Sequence, residues 1–196
     1  EEIDTSEDIV QDIKLSSQEI VERIKDRGIV GLGGAAFPTH VKYMVPEDKH
    51  VDYIIINAAE CEPYLTSDNR LLLEHTEEIL IGIEIMKKAV KVDKAKIGIE
   101  TNKPQAIVAL KALVSKYPGT EVVPLKTKYP QGAEKQLIYA LTKREVPSGK
   151  LPIEVGCIVN NVGTAFAIYQ AVQKNRPLID NILTFTGKGV SNNKNL

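Results

Sequence analysis

The segment Asp52-Tyr53-Ile54-Ile55-Ile56-Asn57 constrains the fold more than any other. Its apolar residues run continuously over the length of a strand instead of alternating, as expected of a strand covered on both faces, and such strands belong to parallel sheets flanked by helices. The rest of the chain repeats the theme. Ser16-Ser17-Gln18-Glu19 opens a helix with a capping-box pattern, and Ile20, Val21 and Ile24 give it an apolar face that ends at Gly28. A helix is predicted over 77–91 from Ile79, Leu80, Ile83, Ile85, Met86 and Val90, then a strand over 95–100.

Asn102-Lys103-Pro104 starts the next helix with proline in its first turn, Ile107, Leu110, Leu113 and Val114 lie on one side, and Tyr117-Pro118-Gly119 stops it. A strand over 121–125, a helix from about Gly132 to Thr142, a strand over 154–159, a helix over 162–173 and a last strand over 182–187 complete the reading, with a polar segment at 191–195. This alternation is the sequence form of an α/β fold: a Rossmann-like three-layer domain with a mainly parallel sheet flanked by helices. The domain is expected over 16–187, preceded by a linker over 1–15.

The chain has 196 residues, 43% hydrophobic and 26% charged, with a net charge of −1, so one core is expected and no basic tract marks a nucleic-acid partner. No apolar run reaches membrane-spanning length, so direct membrane insertion is not expected. Cys61 and Cys157 are far apart, and His40, His50 and His75 are not paired at ligand spacing, so no metal site is argued. The chain lacks both a signal peptide and an initiator methionine and is expected to be a piece of a longer protein.

Chemistry concentrates in four stretches. Gly31-Leu32-Gly33-Gly34-Ala35-Ala36-Phe37-Pro38-Thr39-His40-Val41-Lys42 reads as a loop suited to an anion, because glycines let backbone N–H groups approach a phosphate and the lysine adds charge. It also reads as a plain tight turn, and it lacks the ending of a P-loop and follows a helix, unlike the dinucleotide fingerprint. Asn57-Ala58-Ala59-Glu60-Cys61-Glu62-Pro63-Tyr64 follows the buried strand, where α/β folds bind ligands, although Asn57 could equally cap a turn and both acids could be solvated. Tyr129-Pro130-Gln131-Gly132-Ala133-Glu134-Lys135 enters a helix with Glu134 in its first turn, a position the macrodipole alone favours. Val159-Asn160-Asn161-Val162-Gly163-Thr164 joins a strand to a helix with two amides and a hydroxyl, which serve an anion or ordinary capping. The residues alone lead to a phosphate- or nucleotide-binding α/β domain.

These four stretches, in this order and over nearly the whole chain, resemble the RnfC family, a component of Rnf electron-transport complexes that is related to the NADH-oxidising, flavin-bearing subunit of respiratory complex I. The resemblance implies an FMN- and NAD(H)-binding domain that exchanges a hydride between the two as part of ferredoxin:NAD oxidoreduction. By that likeness Gly31, Gly33, Gly34 and Lys42 would line FMN, and Asn57, Glu60 and Cys61 would approach its polar parts. Asn160, Asn161 and Thr164 would hold the other side, with Tyr129 and Gly132 nearby. Phe37 would stack on the nucleotide base, and Glu62 and Glu134 would contact NAD near the nicotinamide, at the catalytic end.

It further implies other Rnf subunits as partners, ferredoxin as an indirect one, and a peripheral place on the cytoplasmic side of the membrane. The 4Fe-4S clusters would lie only in the rest of a full-length protein, with 188–196 a linker toward that part. Ala36 stands where a glycine is common in the complex I relative, Ala59 and Ala133 replace acids, and Tyr43-Met44-Val45-Pro46 replaces a family Ser-Pro-Pro. These departures leave room for a paralogue serving an amino-acid or cobalamin reductase, or for a non-catalytic nucleotide-binding scaffold.

Overall fold

The computed structural model describes residues 2–196. Its centre is a four-stranded, all-parallel sheet of β1 (Tyr53–Ala58), β2 (Ala95–Glu100), β3 (Thr120–Leu125) and β4 (Cys157–Asn161), in the order β3-β2-β1-β4. Ile54, Ile55 and Ile56 of β1 are all completely buried, as the unbroken apolar run requires. Ile54 and Ile56 point into the larger core and Ile55 into the smaller one on the opposite face.

The larger core lies under α1 (Ser17–Asp26), α3 (Ser67–Glu74), α4 (Thr76–Val90), α5 (Pro104–Leu113) and α7 (Val162–Gln173). α4 and α7 cross closely, and Gly82 is required there because a Cβ would collide with the Ala165 carbonyl. The smaller core packs Leu137, Ile138 and Leu141 of α6 (Glu134–Thr142) against Ile55, Leu125, Cys157 and Val159. Helices on both faces of a parallel sheet make the three-layer α/β architecture expected from the alternation.

The capping box forms: Glu19 N–H donates to Ser16 Oγ at 3.4 Å and Ser16 N–H to Glu19 Oε2 at 2.7 Å. Several local readings are corrected. The chain before the last central strand is a single 3-10 turn, Pro152–Val155, closed by Gly156 at φ +68°, so β4 begins at Cys157 instead of 154 and runs on to Asn161. α6 starts at Glu134, not Gly132, because Gln131 N–H donates to the Lys128 carbonyl at 2.9 Å and Ala133 N–H to the Pro130 carbonyl at 3.2 Å, which holds this stretch in turns. The strand expected over 182–187 shrinks to β5 (Thr184–Phe185), which leaves the main sheet and pairs antiparallel with β6 (Lys194–Asn195), inside the segment read as merely polar. Two helices escape the sequence reading: the short α2 (Thr39–Tyr43) and α3.

Residues 2–15 form no helix or strand, yet they lie along the body. Lys174 Nζ donates to Asp4 Oδ2 at 2.8 Å, Gln173 Nε2 donates to the Val10 carbonyl at 2.8 Å, and Ile13 and Leu15 pack against the larger core.

Candidate functional site

The sheet order locates a site before any side chain is considered. From β1 the chain moves outward through β2 to β3, then returns to place β4 on the other side of β1, so the connections leave β1 and β4 in opposite directions. A crevice opens at such a switch point, outside the carboxyl ends of the two strands, and ligands of open α/β sheets bind there. Asn57, next to last in β1, and Asn161, the last residue of β4, are register partners.

The glycine-rich loop hangs over this crevice. It is closed at its base by Gly31 N–H donating to the Phe37 carbonyl at 2.8 Å, by the bridge between Val30 and Pro38, and by Thr39 N–H donating to the Ile29 carbonyl at 3.0 Å. The buried Thr164 hydroxyl, in the first turn of α7, accepts from Leu32 N–H at 3.0 Å and pins the loop to the end of β4. Gly33 lies against Asn161, where a Cβ would sit 3.5 Å from that of the asparagine. The stretch from Gly33 to Phe37 is exposed, with Gly34 at φ +112° and Ala36 at φ +49°.

The loop leads into α2, which carries Lys42 down to β4, where Nζ donates to the Val159 carbonyl at 2.7 Å. Burial pulls the Lys42 amine below its ordinary value, and Glu134 pulls it back up. Among the described residues no carboxylate stands within ion-pair distance of this ammonium. A desolvated cation held by one neutral carbonyl is electrostatically incomplete, and a phosphate or other electron-rich group would complete it.

The remaining predicted residues divide by what they already hold. Asn57 donates from Nδ2 to the Gly132 carbonyl at 2.9 Å and accepts from Ala59 N–H at 3.1 Å, tying the β1 loop to the β3–α6 loop. Gly132 is needed at that contact, since a Cβ would collide with the Ala59 carbonyl. The Glu60 side chain, only 3% exposed, turns back on its own chain. It accepts from Ser67 Oγ at 3.2 Å, Asp68 N–H at 3.0 Å and Asn69 N–H at 3.4 Å, and its Oε2 lies 3.3 Å from Lys103 Nζ. Its oxygens are therefore occupied in capping α3.

Asn160 faces the helices: Nδ2 donates to Tyr43 Oη at 2.9 Å, while Oδ1 is buried with no partner. Asn161 caps α7, its Oδ1 accepting from Gly163 N–H at 2.7 Å. Phe37, Glu62, Tyr129 and Glu134 are exposed, and the nearby Glu62 carboxylate raises the Tyr129 phenol above its usual range. Cys61 is a partly exposed free thiol.

One residue absent from the sequence reading belongs to the same cluster. Asp68, in the first turn of α3, accepts from Asn161 Nδ2 at 2.7 Å. Burial pushes its carboxyl up to about 6, against the opposing pull of the Asn161 hydrogen bond. Its partner is 93 residues away in the chain, so no local pattern could have shown it.

A parallel sheet with a glycine loop, a partly buried lysine and capping amides at its switch point is the arrangement of a nucleotide-binding α/β domain. The chain belongs to the Nuo51 FMN-binding domain family, whose model matches residues 24–170. It is 51% identical over 185 residues to the C component of the proton-translocating ferredoxin:NAD(+) oxidoreductase complex of Clostridium ljungdahlii, covering 93% of this chain and 40% of that protein. It is 48% identical over 178 residues to the Na(+)-translocating counterpart of Acetobacterium woodii, covering 91% and 40%. It is 45% identical over 181 residues to the C component of the ion-translocating oxidoreductase complex of Haemophilus influenzae, covering 92% and 22%.

The chain thus spans two-fifths or less of the length of these relatives. Among solved structures, an NAD+-reducing NiFe-hydrogenase in the H2-reduced state superposes with a TM-score of 0.70 at 27% identity, over 81% of this chain and 31% of that one. The resemblance to the RnfC family and the α/β fold class both hold.

Proposed function

We propose that this chain is the FMN- and NAD(H)-binding domain of an RnfC-type subunit, and that it exchanges a hydride between NAD(H) and FMN during ferredoxin:NAD oxidoreduction. The observation that carries the reading is the Lys42 ammonium, partly buried beside the exposed glycine loop with no carboxylate in ion-pair reach among the described residues, in a member of an FMN-binding family. The residues fit such a ligand: exposed backbone at Gly33 and Gly34, and a cation needing a counter-charge.

Bound flavin would supply hydride chemistry at its ring. The protein's part is to bind and orient. In this reading Gly33 and Gly34 present backbone N–H groups while Gly31 closes the loop at its base, Lys42 meets the electron-rich side of the ligand, and Asn161 and Thr164 keep the loop seated on the end of β4. Asn57 and Gly132 hold the two facing loops together, which sets the width of the crevice. The exposed Phe37, Glu62, Tyr129 and Glu134 are open to a second nucleotide, Phe37 by stacking and the acids by accepting hydrogen bonds from an amide or ribose. Hydride exchange between a flavin and a nicotinamide would ask no proton of a side chain, so the residues named here would serve to hold and orient the two ligands.

Other Rnf subunits, and through them ferredoxin, would be the partners, with 4Fe-4S clusters carried by the rest of a full-length protein. No helix is long and apolar enough to cross a membrane among the described residues. We place the domain peripherally, on the cytoplasmic side of a membrane complex.

Lys42→Ala combined with Asn161→Ala is expected to weaken FMN binding at least about 10-fold, the scale of losing charge-assisted hydrogen bonds. Unchanged affinity in a fluorescence titration would remove this site assignment.

A further inference from the structure

Asn161 stands between the α7 cap and the glycine loop, and both functional edges of its amide are engaged: Oδ1 takes the Gly163 N–H and Nδ2 gives a hydrogen to Asp68, each at 2.7 Å. An amide in isolation can present either edge. A backbone N–H only donates and a carboxylate only accepts, so Gly163 and an ionised Asp68 together permit a single orientation. That leaves one N–H of Nδ2 and one lone pair of Oδ1 for anything entering the crevice.

Asp68 is in turn held by its own backbone, since its N–H donates to the Glu60 carboxylate that Lys103 also pairs with. Accordingly, the polar chain from Lys103 through Glu60 and Asp68 to Asn161 links the start of α5, the β1 loop, the start of α3 and the cap of α7.

We infer that Asp68 is a positioning residue of the nucleotide site, fixing the Asn161 amide, and through it the seat of the glycine loop, in the orientation that receives the flavin. The inference rests on the FMN reading above and adds to it a residue that touches no ligand. A purely structural role is a poor account of this carboxylate. Burial works against its charge, which a structural polar contact does not require, and an asparagine would fill the same space. The charged groups around it are Glu60 and Lys103 on the adjoining loop and helix, and His75, Arg176 and Asp180 on the cleft of about 410 Å³ that it lines. His75 lies 3.0 Å from Glu78, and Arg176 lies 2.7 Å from Asp180. Ionisation of Asp68 therefore tightens the site, and protonation loosens it.

The test titrates the wild-type chain, Asp68→Asn, Asn161→Ala and the double variant with FMN and with riboflavin from about pH 5 to about pH 8. Riboflavin carries no phosphate, whose own titration near pH 6 would otherwise overlap. At the alkaline end Asp68→Asn should weaken both flavins about 10-fold, the size of a lost charged hydrogen bond. That ratio should shrink toward 1 at the acid end, where the wild-type carboxyl is itself neutral. In the Asn161→Ala background it should be near 1 throughout, because the effect passes through that amide.

A melting curve accompanies each variant, and Asp68→Asn is expected to melt no lower than wild type above neutrality, so weakened binding cannot be ascribed to unfolding. A ratio near 1 at the alkaline end, a ratio constant with pH, or the same ratio without Asn161 would overturn the inference while leaving FMN binding intact. A wild-type chain that binds neither flavin would overturn the FMN reading and this inference with it.

Discussion

Ala36 is a residue with a local cost. It holds a left-handed conformation at φ +49° in the exposed part of the glycine loop, where an L side chain is disfavoured by about 1–2 kcal/mol. Ala36→Gly should therefore stabilise the chain by up to about 1 kcal/mol after the added unfolded-state entropy of glycine, measurable by urea denaturation. A loss of stability would mean that the alanine methyl makes a compensating contact. Asp68 gives a pH-dependent prediction of definite sign. Its folded carboxyl is raised to about 6 from an ordinary 3.8, so the folded state binds the proton more tightly than the unfolded chain. The stability linked to that proton is fully present below about pH 4 and lost as pH rises through about 6. Asp68→Asn escapes the loss, so its melting temperature relative to wild type should rise between about pH 4 and about pH 7.5, and a constant difference would contradict the burial of Asp68.

At the scale of elements, the way a helix begins decides how visible it is in the sequence. α1 was legible because its cap is local: Ser16 and Glu19 lie three residues apart and satisfy each other. α3 was not, because Thr66 makes no side-chain cap and the duty falls on Glu60, several residues back in the previous loop. Glu60 thus stood in the sequence as an acid free for a ligand, whereas it is occupied with Ser67, Asp68 and Asn69. Glu60→Ala should cost about 2–4 kcal/mol by removing an N-terminal cap and leaving the partly buried Lys103 without this partner, measured as a fall in denaturation midpoint. A change below about 0.5 kcal/mol would show that α3 does not depend on this carboxylate. β4 was misplaced for a related reason: Pro152–Val155 carries apolar residues at strand-like spacing but turns in a 3-10 conformation, and only Gly156 releases the chain into the sheet.

Across the whole molecule, α7 runs from the candidate crevice to the amino-terminal segment. The helix begins at the crevice with Asn161 and Thr164 and ends beside the amino-terminal segment, where Gln173 and Lys174 hold Val10 and Asp4. Twelve residues of α-helix put these ends about 18 Å apart. Deleting residues 1–15 should lower stability by about 2 kcal/mol through exposure of the apolar surface under Ile13 and Leu15, yet leave flavin affinity unchanged within about twofold. Loss of flavin binding in a folded truncated chain would show that the two ends are coupled. The four chemical stretches were legible in the sequence because each lies at the end of a periodic element, and the fold brings all four to one edge of the sheet. The crossing partners were not legible: Asn57 with Gly132, Lys42 with Val159 and Asp68 with Asn161 join residues separated by 75, 117 and 93 positions.

The central claim is that the β1/β4 crevice holds FMN in reach of a nicotinamide. Its most direct test is the visible spectrum of the purified chain with stoichiometric FMN, recorded before and after anaerobic NADH. A perturbed flavin spectrum that bleaches on NADH at a rate well above that of free FMN, and does neither in Lys42→Ala with Asn161→Ala, is the predicted result. A spectrum identical to free FMN at high protein concentration, or bound flavin that NADH does not bleach, would contradict it.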